Sequence, residues 1–555
     1  MPVAGPTVAL LGLLLLLGPA GGARTRVPSV TDGGAPPAVW PMPREAAWGP
    51  GRREVAPRGL RIRCTNAPCP AALREAVRRT EPRFAWPFCA PAGTAGPPPG
   101  GGERAALEEC TVAVRSTDET LRLGVDESYN LTVSGAHGGC ALTAATVWGA
   151  VWGLDTLAQL CVQMPSGAAG KVALQEAEIK DAPRFPFRGL LVDSARHFLP
   201  VPFLKRILDV MSLGRYNVLH WHLVDSQAFP VRSKLFPELA EAAYDPLATY
   251  SKADLREVVA YAKSRGVRVM PEFDVPGHGS WGAGRPELMG CADVLDPTKP
   301  EVYAFLKAFL GEMAAVFEDE FMFLGGDEVN ATCWDDNAGI AKWMAQRGLN
   351  STQLFSYFWN RTSAEVLPDL GKKVGVWEAD DFAILPEVFR RLPAGSFSNA
   401  WYTLETFNAT LKAGMPTVLS AALYFDMENP GGVGYCSEYF WQDTWKCVYR
   451  TEPYDSLPSD SRHYRGLVLG MQGCMWGEGV NRFNWDSRVW DKAMALSERM
   501  WSDRRVNDTE AAEGRLARHL CRLNQLGVAA GPIKAGWCPA DAGAPEPLRI
   551  YSGDE

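Results

Sequence analysis

From Phe187 onward, short apolar runs rich in β-branched and aromatic residues recur between helical segments of roughly 10 to 18 residues. The runs are GLLVDSAR (189–196), NVLHWHLVD (217–225), RVMPEFDVPGH (268–278), FMFLGGDE (321–328), KVGVWEA (373–379), SFSNAW (396–401), TVLSAALYFD (417–426) and LVLGMQGCMWGE (467–478). Each is nearly continuous in its apolar character, as a strand covered on both faces must be. Each helical segment between them is long enough for a right-handed crossover. Eight such units predict an α/β fold, a closed (β/α)8 TIM barrel. An open doubly wound sheet is the alternative, but no Gly-rich dinucleotide or phosphate loop follows the first run.

The first third of the chain has a different rhythm. Short alternating segments such as Tyr129–Val133, followed by an amphipathic run from Thr143 to Gln163, predict a smaller α+β domain. Residues 24 to about 58 are rich in Pro, Gly and Ala, and Gly93–Gly102 (GTAGPPPGGG) reads as a loop with little to pack. At the start, the run Ala9–Gly18 (ALLGLLLLLG) and the small residues Gly21, Gly22 and Ala23 predict a cleaved secretory signal. That run is far shorter than the ~20 residues of a spanning helix, and no later stretch qualifies, so no membrane association is expected. The expected organisation is a signal peptide over 1–23, the α+β domain over 24–180, the barrel over 181–540 and a tail over 541–555.

Length and charge sharpen this picture. The 555 residues suit a barrel plus a companion domain, and 56 basic against 64 acidic residues, with no long Lys/Arg run, argue against a nucleic-acid partner. Sequons begin at Asn130, Asn330, Asn350, Asn360, Asn408 and Asn507, where chance would give on the order of one or two. All but Asn330, two residues past Glu328, are expected to carry glycans, which supports the secretory route. In that compartment most of the 13 cysteines should pair. Spacing does not fix the connectivity; the pairs expected are Cys291 with Cys333 and Cys521 with Cys538, with Cys474 left as a buried free thiol.

A parallel barrel gathers chemistry at the C-terminal ends of its strands. Those ends carry Asp193 and Arg196, Asp225, Asp274 and His278, Asp327 and Glu328, Trp377, Trp401, Tyr424 and Asp426, and Trp476 and Glu478. Carboxylates with aromatic walls suit a sugar, which needs an acid for its glycosidic oxygen and flat apolar surfaces for its C–H face. Phosphoryl transfer would call for cations instead. The sharpest signal is Gly325-Gly326-Asp327-Glu328: the glycines allow close backbone approach beside two adjacent acids, whose repulsion and partial burial favour retention of a proton on one of them. The bland explanation is a solvated turn. Neighbouring strand residues point in different directions, so the two do not form the facing acid and nucleophile of an ordinary retaining glycosidase. The nucleophile then comes from another strand, with Asp225, Glu378 and Glu478 as candidates, or from the substrate.

These motifs, FRGLLVDSARHF, HWHLVD, EFDVPGH, LGGDEV and CMWGE, occur in an order that resembles the β-N-acetylhexosaminidases, family 20 glycoside hydrolases, of the animal lysosomal type. ESYNLTV (127–133) and TVWGAVWGL (146–154) are similar to that family's non-catalytic α+β domain. The resemblance implies hydrolysis of terminal β-linked GlcNAc or GalNAc without a cofactor, by attack of the substrate's own acetamide oxygen on C1. It implies Glu328 as general acid and base and Asp327 as the group that orients the acetamide. Tyr424 would hold the acetamide oxygen, Trp377, Trp401 and Trp476 would wall the pocket, Arg196, Asp225 and Glu478 would bind hydroxyls, and His278 would tune the acid pair. A lysosomal or secreted homodimer is the corresponding expectation.

Three positions depart from the family's pattern. Asp426-Met427 matches the subtype with Asp and an aliphatic residue; an Asp without a partner cation should favour neutral sugar ends over sulfated or sialylated ones. Ser226 stands where the family has a second Asp, and a short segment after Cys291 argues against docking of a ganglioside activator. Two other functions compete. His220 and His222 project from one strand face like metal ligands, although only seven histidines are present and hydrogen-bonded core histidines are the better reading, so no metal is expected. A glycan-binding protein without activity could use the same fold.

Overall fold

In the computed structural model the described residues are 39–85, 88–90, 106–134, 139–164, 171–291, 293–378, 389–427, 444–457 and 462–538. The signal-like run, the Gly93–Gly102 segment and the 541–555 tail lie outside them. Each of the eight apolar runs supplies a strand: β1 (Phe187–Asp193), β2 (Val218–His222), β3 (Arg268–Glu272), β4 (Phe321–Phe323), β5 (Lys373–Trp377), β6 (Phe397–Ala400), β7 (Thr417–Leu419) and β8 (Val468–Met475). They close in chain order into a parallel barrel, with β8 pairing back onto β1. Every residue of β1, β2 and β3 is buried, because one face fills the barrel and the other meets the helices. Phe187, Leu191, Met270, Phe323, Phe397 and Cys474 pack inside. Cys474 is a free, buried thiol.

The strands are shorter than the runs that announced them. β4 ends at Phe323, so Gly325 to Glu328 form a loop at the mouth and are not strand residues. The argument from strand alternation for Asp327 and Glu328 therefore does not hold; the backbone there obeys a different rule, taken up below.

The N-terminal domain is a mixed sheet ordered Glu45–Glu54, Val172–Asp181, Tyr129–Val133, Cys140–Ala144, Glu109–Val114, Arg61–Cys64, with Cys161–Gln163 also paired to Val172–Asp181. The run read as amphipathic forms a helix over Val147–Gln159 that is buried all round. Sequence alone suggested a polar face, but a helix held between a sheet and a barrel has none to spare. It approaches the sheet closely at Gly149 and Gly153, where a Cβ would come within 2.2 Å of the Ser128 carbonyl and 2.4 Å of Leu142.

Buried polar contacts fix the two domains together. Arg188 at the start of β1 donates to Glu127 at 2.8 and 2.6 Å, and Arg215 pairs with Asp181 at 2.7 Å. Trp501 lies beside both guanidinium groups and donates to Asp181 at 3.0 Å. Disulfides join Cys64–Cys69, Cys89–Cys161 and Cys110–Cys140 in the first domain and the two expected pairs, Cys291–Cys333 and Cys521–Cys538, in the second. Of the sequon asparagines, Asn130, Asn330, Asn350 and Asn507 are exposed, whereas Asn360 and Asn408 are half-buried. Among the described residues no helix is long and apolar enough to cross a membrane.

Candidate active site

The mouth is built on a buried line of alternating charge. Residues two apart on a strand share a face, so His220 and His222 both point inward, and the β2–β3 register sets Glu272 beside His222. Glu272 lies 2.5 Å from His222 Nδ1 and 3.1 Å from His220 Nε2, and accepts from Trp377 Nε1 at 2.7 Å. His222 is thus hydrogen-bonded to Glu272, while His220 lies in ion-pair range of it and shares a hydrogen bond with Gln472 Oε1 at 3.2 Å through Nδ1. His222 Nε2 then meets Asp225 at 2.8 Å, and Asp225 also meets Arg196 at 2.6 Å and His278 Nδ1 at 3.2 Å. His278 Nε2 ends the line 3.7 Å from Glu328.

These contacts set the charge states. Burial opposes ionisation of Asp225, but its bonds to His222 and His278 outweigh it and hold the carboxyl well below the usual range. The Asp225 bond raises His278, against the opposing effect of burial. Arg196 is held above its ordinary value despite burial because Asp193, Asp225 and Glu478 surround it. Asp193 also accepts from the Gly477 amide at 2.9 Å, so one carboxylate links the ends of β1 and β8.

Asp327 and Glu328 leave the barrel on a left-handed stretch. Gly325 and Gly326 have φ of 63° and 97°, and Glu328 has φ of 49°, a value that glycine adopts freely and glutamate does not. Gly325 is required twice over: its Cβ would stand 2.1 Å from the Asp274 carboxylate, which accepts from the Gly326 amide at 2.9 Å. Asp327 is half-buried and Glu328 is exposed. Burial, reinforced by Glu272 and Glu328 and opposed by His278, pushes the proton affinity of the Asp327 carboxyl well above the carboxylate range. The Glu328 side chain is 56% exposed and faces the open mouth.

Around this pair the aromatic residues form a cup. Trp476 stacks on Tyr424 with 6.4 Å between ring centres, lies 6.0 Å from Trp377, and carries the Arg196 guanidinium at 5.2 Å. Trp377 is buried and forms the floor, while Trp401 is half-buried and donates to the Glu378 carbonyl at 3.1 Å. Glu478 is exposed, 3.8 Å from Arg196. Asp426 accepts from the Trp476 amide at 3.4 Å, and burial raises its carboxyl to about 6. The helix Trp485–Trp501 brings Arg488 to the Asp426 carbonyl and Lys492 to the Met427 carbonyl, at 3.1 and 3.4 Å. The structure adds Glu272 to the residues singled out from sequence, and ties His222 and Asp193 into the site's hydrogen-bond network. A charge embedded in an apolar run, as in VMPEF, was the signal for Glu272.

Residues 185–504 match the family described as "Glycosyl hydrolase family 20, catalytic domain", and residues 39–160 match "beta-acetyl hexosaminidase like". The chain is 36% identical to the mouse beta-hexosaminidase subunit beta, covering 90% of this chain and 93% of that one. It is 34% identical to the human subunit beta over 92% and 91% of the two. The chain belongs to glycosyl hydrolase family 20. It is a β-hexosaminidase-type glycoside hydrolase, of the class that cleaves terminal GlcNAc and GalNAc. Among solved structures, the enzyme superposes on a Flavobacterium johnsoniae chitobiase with a TM-score of 0.72 at 26% identity, over 88% of this chain and 73% of that one. A Vibrio harveyi exo-β-N-acetylglucosaminidase shares the fold, with a TM-score of 0.73 at 22% identity over 93% and 81%.

Proposed function

We propose that the enzyme works with net retention through substrate-assisted catalysis. The acetamide oxygen of the bound sugar attacks C1 as Glu328 protonates the departing glycosidic oxygen, giving an oxazolinium ion. Glu328 then takes a proton from the water that opens it. Asp327 receives the acetamide N–H, and the positive charge developing beside it favours its ionised form. Tyr424 binds the acetamide oxygen, Arg196, Asp225 and Glu478 bind hydroxyls, and Trp377, Trp401 and Trp476 exclude water.

The observation that carries this mechanism is the commitment of the protein's own candidate nucleophiles. Asp225 is engaged by Arg196, His222 and His278, and Glu378 accepts from the Tyr402 amide at 3.1 Å and from Thr406 Oγ1 at 2.6 Å. Two of the three candidates are thus held by the protein, and the third, Glu478, is exposed and stands 3.8 Å from the Arg196 guanidinium. We place the enzyme in the lysosome or secreted space as a glycosylated homodimer, in keeping with the leader-like run and the sequons. Turnover of an aryl β-N-acetylglucosaminide with inhibition by a thiazoline mimic of the cyclised intermediate is the test. Binding without turnover would point to a lectin, and a trapped glycosyl–protein adduct would replace the mechanism with an ordinary nucleophilic one.

A further inference from the structure

We propose that a small monovalent inorganic anion of halide size binds between the two domains, against Arg79. The helix Ala71–Thr80 and the turn Glu81–Phe84 of the first domain face the end of the barrel helix Val201–Leu213 and the turn at Arg265. Between them is a cavity of about 40 Å³, with Arg79, Arg83, Asp155, Asp209, Ser212 and Arg265 among its polar lining. One water needs roughly 10–15 Å³, so the space accepts a halide with a water beside it.

The charges around the cavity do not balance. Arg83 pairs with Asp155 at 2.8 Å, and Gln159 donates to the same carboxylate at 2.8 Å. Arg265 pairs with Asp209 at 2.8 Å and donates to Ser264 Oγ at 2.6 Å, while Tyr261 fills the other Asp209 oxygen at 2.8 Å. Both carboxylates are therefore spoken for by two of the three guanidinium groups. Arg79 donates from Nη2 to the Ser264 carbonyl at 3.2 Å, and its buried Nη1 has no hydrogen-bond partner. Burial, with Arg265 adding to it and Asp209 and Tyr261 opposing, pulls Arg79 down to about 9, and burial with Arg83, opposed by Asp155, pulls nearby Arg522 down to about 10.

A water would satisfy the orphan N–H but leave the extra positive charge; an anion satisfies both. Arg79 is only partly buried as a residue, which gives an ion a route in. Ser212, Leu213 and Arg265 lie just ahead of β2 and β3, at the end of the barrel opposite the mouth, so this anion links the domains and takes no part in hydrolysis.

The test is thermal unfolding of the full enzyme as gluconate is replaced by chloride at constant ionic strength, for the parent and for Arg79→Met. Chloride should raise the parent's Tm along a saturating curve and leave the variant's flat, with equal turnover of an aryl substrate by both. The same chloride response in parent and variant would overturn the proposal. Should Arg79→Met not fold, a bromide-soaked crystal of the parent decides: an anomalous peak beside Arg79 Nη1 is expected, and a water alone in the cavity sinks the idea.

Discussion

His222 Nδ1 and Glu272 Oε2 stand 2.5 Å apart beneath the mouth, and through this one contact the floor of the sugar cup is joined to its acid. Burial disfavours an imidazolium at His222, but Glu272 and Asp225 on either side outweigh it and hold its proton affinity well above the ordinary value. The line runs Trp377, Glu272, His222, Asp225, His278, Glu328. Glu272→Gln removes the central charge and leaves a buried cation with one partner fewer. Such losses cost about 3–5 kcal/mol of stability. Displacement of Trp377 and Asp225 should lower kcat/KM on the order of 10²-fold. Urea unfolding and aryl-substrate kinetics measure the two, and normal kinetics in a folded Glu272→Gln enzyme would refute the link.

Gly325→Ala tests the left-handed exit of β4. The added Cβ meets the Asp274 carboxylate at 2.1 Å on a residue whose φ is 63°, so the loop must shift. Asp327 and Glu328 move with it, and kcat should fall by about 10²-fold or more while the strain costs ~1–3 kcal/mol. The control is Gly371→Ala, which also has positive φ but has open space at its Cβ and lies away from the acids. Comparable losses of activity in both variants would show general destabilisation and not a displaced acid pair.

The barrel was legible because its strands are covered on both faces, and continuous apolar runs such as GLLVD follow directly from that. Asp327 and Glu328 were legible as an acid pair after two glycines, but the loop that carries them was not, because no side-chain pattern encodes the positive φ at Glu328. Glu272 and His222 lie 50 residues apart in sequence, and only the β2–β3 register brings them together. The helix Val147–Gln159 misled for a related reason: its Thr, Asp and Gln side chains look like a solvent face until Arg215, Arg83 and Trp40 supply their partners from distant segments.

Asp426 should make substrate choice depend on pH. Burial raises its carboxyl to about 6, so it is neutral in acid and becomes an anion as the pH rises past that value. A 6-sulfated sugar end therefore meets no added negative charge near pH 4.5 but does near pH 7. Relative to the neutral sugar, kcat/KM for the sulfated one should fall roughly tenfold over that interval, equivalent to ~1.4 kcal/mol. Asp426→Asn should flatten the ratio. A ratio that is already flat in the parent enzyme would mean that Arg488 and Lys492 neutralise the site at every pH.

His519 predicts how stability itself varies with pH. Its ring stacks on Trp40 with 6.3 Å between centres, and both ring nitrogens are buried without a hydrogen-bond partner. Burial lowers it to about 3, with Arg522 and Arg83 adding to the effect and Asp155 opposing it. In the unfolded chain the same histidine titrates near ~6.5. Between those values only the unfolded state takes up the proton, so stability is full above pH ~6.5 and drains away as the pH falls toward 3. At pH 4.5 the loss from this one residue is about 2–3 kcal/mol. His519→Leu keeps the packing and removes the titration, so the difference in urea stability between pH 7 and pH 4.5 should shrink by that amount. Parallel losses in parent and variant would assign the acid sensitivity to other groups. A smaller loss in the variant would show that this one buried histidine makes the fold weaker in acid.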